Sequence, residues 1–94
     1  MIVFDQYIES TFQAVDDAAK EIVRILKSDD YIQDIHVIFK INFMLRENLN
    51  NAVEHGNQFD SNKKVRCLIK YGKKQVIFEI IDEGNGVSLN SKAL

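Results

Sequence analysis

Glu47, Asn51 and His55 are spaced four residues apart. On an α-helix that spacing lines up a carboxylate, an amide and an imidazole in one stripe. A rigid helix that holds a carboxylate one turn from an amide can divide the work of a reaction. The amide oxygen ligates a hard cation such as Mg²⁺, and the carboxylate takes a proton from a nucleophile. Taken singly, each residue is more simply part of the wet face of an amphipathic helix.

A second cluster follows about 30 residues later by the numbering of the chain, where the β-rich run 76–81 ends in Asp82-Glu83-Gly84-Asn85-Gly86. A buried aspartate at a strand end can accept a hydrogen bond from the exocyclic amine of adenine. Glycines beside it let the backbone approach a base and turn without a Cβ clash. Alone, an aspartate before a glycine turn is equally a hairpin signal.

The elements that must hold these clusters are legible from periodicity. Residues 1–8 are short, apolar and aromatic, and read as a first strand. Ser10 and Thr11 offer an N-cap, and Phe12, Val15, Ala19, Ile22 and Leu26 then fall at steps of three and four on a helix ending near Lys27. A second helix begins after Asp34, with Ile38, Ile41, Leu45, Leu49 and Ala52 as its apolar stripe and Gly56 as its stop. At about 100° per residue, Glu47 and Asn51 lie roughly 110 to 150° from the centre of that stripe, bordering the buried side without joining it.

Residues 57–62 form a polar loop, and 65–71 and 76–81 alternate as two strands of a β-hairpin turning at 72–74. Residues 82–94 hold two of the four glycines and few large apolar groups, and read as a loop. The order strand, helix, helix, strand, strand predicts an α+β, two-layer sandwich: a mostly antiparallel sheet with helices on one face.

Composition sets the remaining bounds. Ninety-four residues support one domain, 1–94, and the 46% hydrophobic, 28% charged balance is that of a folded soluble chain. The net charge is −2 and the basic residues are scattered, which argues against direct nucleic-acid binding. The densest cluster, Lys63, Lys64 and Arg66, reads as a solvated strand entrance. The single Cys67 reads as a buried thiol suited to a reducing cytoplasm. No signal peptide opens the chain and no run nears the roughly 20 apolar residues of a membrane span, so a cytoplasmic protein is expected.

Taken together and in order, the clusters carry a resemblance. Glu47-Asn48-Leu49-Asn50-Asn51-Ala52-Val53-Glu54-His55-Gly56 resembles the first nucleotide box of the GHKL (histidine-kinase-like) ATPases: Glu, three residues, Asn-Ala, two residues, His-Gly. Asp82-Glu83-Gly84-Asn85-Gly86 resembles their Asp-x-Gly-x-Gly box. The nearest likeness is to the free-standing anti-sigma factor serine/threonine kinases, where a polar loop with an aspartate, here Asp60, leads into a Lys-rich strand.

The resemblance implies a Bergerat-type ATP-binding fold with ATP and Mg²⁺ as cofactors. Glu47 would be the general base, Asn51 the Mg²⁺ ligand and Asp82 the adenine contact. Gly84 and Gly86 would shape the adenine pocket, with Asn48 and His55 near the phosphates or the root of the lid. The implied partners are an anti-anti-sigma protein of the STAS type, phosphorylated on serine, and a sigma factor held inactive.

The family continues past its second box into a lid and further strands, which this sequence ends before. An incomplete domain is therefore expected, whose unpaired sheet edge would favour a homodimer. Two other readings share the motifs. One is a binding module that sequesters a partner without using ATP. The other is the ATPase core of a sensor histidine kinase or of a gyrase-like hydrolase.

Overall fold

A computed structural model describes residues 1–28, 32–84 and, as backbone, 88–93. Strand β1 (Ile2–Glu9) is followed by helices α1 (Phe12–Ser28) and α2 (Ile35–Asn51), and α2 runs on as a π turn over Ala52–Gly56. Strands β2 (Lys64–Gly72), β3 (Gln75–Ile81) and β4 (Ser88–Ala93) complete an antiparallel sheet in the order β1-β2-β3-β4. Both helices lie in the excursion between β1 and β2, which are neighbours.

The helices begin where local chemistry satisfies their first free N–H groups. The Thr11 hydroxyl accepts from the Ala14 N–H at 3.0 Å, so Thr11 caps α1. Asp34 caps α2 by accepting from the His36 N–H at 2.9 Å. Ser10 is buried instead, and its hydroxyl donates to the Lys63 carbonyl at 2.6 Å, tying the end of β1 to the start of β2.

Alternation along each strand sends one set of side chains to the helices. Phe4 pairs with Ile69, which pairs with Phe78, and Cys67 pairs with Ile80, all buried. Against them α1 places Val15, Ala19, Ile22 and Leu26, and α2 places Ile38, Ile41, Leu45 and Leu49. The core is one two-layer cluster, as the periodicity predicts. Phe12 departs from it: in the first turn of α1 it is half exposed and meets the ring of Phe59 edge-on at 5.1 Å.

Residues 82–94 are not one loop. Ser88–Ala93 pairs antiparallel with β3, Ile81 opposite Ser88 and Val76 opposite Ala93, so the sheet has four strands among the described residues. The composition of β4 carries weak strand propensity. Its pairing rests on backbone groups offered by the edge of β3, a tertiary effect that a periodicity reading misses. Among the described residues no helix is long and apolar enough to cross a membrane.

Candidate functional site

The first nucleotide box occupies the end of α2 and the π turn. The Ala52 N–H is shared between the carbonyls of Asn48 and Leu49, and the coil then widens. The Asn57 N–H reaches back to Ala52 at 2.8 Å and the Phe59 N–H to Val53 at 3.0 Å. Such π turns are rare and recur at functional sites.

The widening corrects the straight stripe expected of Glu47, Asn51 and His55. Glu47 and Asn51 remain one α-helical turn apart, but the wider turn carries His55 off their line. Its imidazole is exposed beside Glu54 at 3.9 Å. Glu47 and Asn51 are exposed and Asn48 is half-buried.

After Gly56 the chain reverses through Gln58 and Phe59, whose φ values of 53° and 58° lie in the left-handed region that non-glycine residues seldom adopt. Asp60 organises the rest of this loop. Its carboxylate accepts from the Asn62 N–H at 2.9 Å and its carbonyl from the Lys63 N–H at 3.0 Å.

The second box starts where β3 ends. The half-buried Asp82 accepts the Gly84 N–H at 2.9 Å, closing a tight turn on its own side chain. The adjacent Glu83 accepts the Lys64 N–H with its carboxylate and donates its own N–H to the Asn57 amide oxygen at 2.8 Å.

These turns bring the two boxes into contact. A Cβ built on Gly84 would overlap the Gly56 carbonyl, and one built on Gly56 would overlap the Asp82 carboxylate. At position 84 the obstacle is backbone, so only a glycine lies this close without the chain moving. The model of the histidine kinase-like ATPase domain matches residues 8–94. The chain belongs to that family. No curated protein and no solved structure matches it.

In this histidine kinase-like ATPase domain the structure joins Gly56, Asp82 and Gly84 at one end of the site. Glu47 and Asn51 sit further back on α2, exposed. Glu47 and Asn51 are four positions apart on α2, roughly 6 Å along the axis at about 1.5 Å per residue, and the π turn then separates Asn51 from Gly56. Gly86 and Asn85 lie outside the described residues.

ATP as the family's ligand fits this set of groups. Asp82 is an acceptor oriented by the Gly84 N–H, and the missing side chains of Gly56 and Gly84 let the two boxes close on each other beside it. Among the described residues no group of three or more His, Cys, Asp or Glu side chains could hold a metal by itself. Mg²⁺ suits such a site, because it is usually bound through one or two protein ligands, waters and substrate phosphates.

The sequence reading missed Asn57, Ser10 and Glu83 as partners in this junction. Asn57 is 1% exposed, and its amide donates to Ser10 Oγ at 2.9 Å and to the Lys64 carbonyl at 3.0 Å. In sequence it is one more asparagine after a glycine. Nothing local marks it as buried.

Proposed function

We propose that this domain is the ATP-binding part of an anti-sigma factor type serine/threonine protein kinase. It would phosphorylate a serine of an anti-anti-sigma partner of the STAS type and, in its other state, sequester a sigma factor in the cytoplasm. The observation that supports this reading best is the contact of Gly56 with Asp82 and Gly84. It joins the two motifs that resemble the kinase family into one junction.

Asp82 accepts the adenine amine in this reading, with Gly84 and Gly86 shaping the pocket around the base. Asn51 supplies one oxygen to Mg²⁺, and Asn48 and His55 lie toward the phosphates. Bound Mg-ATP supplies the phosphoryl group and neutralises charge during its transfer. Glu47 takes the proton from the acceptor serine as that oxygen forms its bond to phosphorus and the bond to the ADP oxygen breaks. The protein contributes position and electrostatics, with little covalent chemistry of its own.

Two measurements test the proposal. Mg-ATP should raise the melting temperature, since a ligand selective for the native state at a hundredfold excess over its Kd adds about 2.7 kcal/mol. No shift at millimolar Mg-ATP would favour a binding module that does not use nucleotide. Incubation with a STAS-domain protein and γ-labelled ATP should label that protein on serine. Release of phosphate without labelling would instead point to a gyrase-like hydrolase. Labelling of a histidine would point to a sensor kinase core.

A further inference from the structure

Asn57 is assigned neither proton transfer nor metal binding, yet its side-chain amide makes three hydrogen bonds at the junction. One amide group holds three chain segments. Its Nδ2 donates to Ser10 Oγ at the end of β1 and to the Lys64 carbonyl at the start of β2. Its Oδ1 accepts the Glu83 N–H, between Asp82 and Gly84. Its own N–H closes the π turn on Ala52. At 1% exposure, water cannot substitute for these bonds.

We infer that Asn57 is a positioning residue that fixes Asp82 for the recognition of adenine, holding the backbone of residue 83 through its amide oxygen. The inference rests on the reading of Asp82 as the adenine contact. The Asn57 Oδ1 bond fixes the peptide N–H of Glu83, directly after Asp82, while the Asp82 carboxylate turns back onto the Gly84 N–H. Release of the Glu83 N–H frees this tight turn to shift. The acceptor then loses the fixed direction that favours an amine donor over the carbonyl guanine presents at the equivalent place. The Ser10 and Lys64 bonds anchor the amide from the other side and set no direction at Asp82.

The test separates positioning from stability. Affinities for Mg-ATP and Mg-GTP are measured on the full chain for the wild type, Ser10→Ala, Asn57→Ala and Asn57→Asp. The ratio of the two does not depend on how much protein is folded.

Ser10→Ala removes an anchor but keeps the Glu83 bond, and should lower the melting temperature with the ratio unchanged. Asn57→Ala should lower the ratio about fivefold or more, the scale of one lost hydrogen bond in a buried site. Asn57→Asp keeps an acceptor for the Glu83 N–H, so it should hold the wild-type ratio despite lost stability, and it carries the test if the alanine variant does not fold. A ratio that survives in Asn57→Ala, or falls equally in all three variants, overturns the inference. A wild type with no preference for ATP overturns the assignment of Asp82 itself, and the role of Asn57 with it.

Discussion

The carbonyl oxygen of Gly56 lies where the Cβ of any other residue at position 84 would have to sit. The obstacle is backbone, which cannot rotate out of the way as a side-chain tip can. It concerns space and not conformation, because Gly84 has no φ in the left-handed region. Gly84→Ala should therefore push the second box off the π turn, at a cost of about 1–3 kcal/mol typical of overpacking. Urea unfolding measures this directly. An unchanged midpoint would mean that the two segments are not in contact in solution.

Glu47 and Asp82 are assigned different work, so their variants should fail differently. Glu47→Ala is expected to abolish phosphoryl transfer and leave Mg-ATP affinity within about twofold, since a proton acceptor acts mainly on the chemical step. Asp82→Asn should instead erode the preference for ATP over GTP. Equal loss of binding and transfer in Glu47→Ala would remove Glu47 from the role of base.

Burial decides the behaviour of Cys67. The thiol is fully buried in the core cluster, on a strand where Cys67 pairs with Ile80, and desolvation pushes its pKa up to about 12. The neutral thiol is the form that suits the folded state. Stability from this site is therefore complete below the ordinary value of 9.0 and declines as pH rises from there toward about 12. A thiol-specific reagent at pH 8 should label native protein no faster than the chain unfolds. Rapid labelling of native protein would contradict the burial.

Asp16 on α1 links the two helices. It accepts from Arg46 of α2 at 2.7 Å and pairs with Lys20 at 2.9 Å. The Arg46 hydrogen bond, then that of Lys20, holds its carboxyl below the ordinary value of 3.8. A depressed carboxyl pKa contributes stability that is present above the unfolded value and lost as pH falls through the folded one. Asp16→Asn should flatten the fall in melting temperature below about pH 4. Its effect near neutral pH should be small, as for other exposed pairs. An acid limb identical to the wild type would show that this pair is not formed.

Much of the scaffold was legible because its signals are local or periodic. The helix expected after Asp34 starts there, capped by Asp34 itself, and Ile38, Ile41, Leu45 and Leu49 repeat at helical spacing and are buried. The hairpin of β2 and β3 follows from alternation around a turn at Lys73 and Lys74. Phe12 fits the helical stripe and yet stands outside the core, half exposed, with its ring against Phe59 of the loop after α2. The strand Ser88–Ala93 escaped because its formation depends on the free edge of β3.

The chain by itself determined which groups could do chemistry. Glu47 and Asn51 share a helix face because 3.6 residues make a turn, and Asp82 with its glycines stands at the end of an alternating strand. Tertiary structure decided how these groups meet. The π turn displaces His55, the close approach of Gly56 to Gly84 joins the boxes, and Asn57 is buried between Ser10, Lys64 and Glu83. Each of these depends on contacts between segments far apart in the chain. Periodicity carries no record of such contacts, because it reports only which side of an element faces inward and not what it will face.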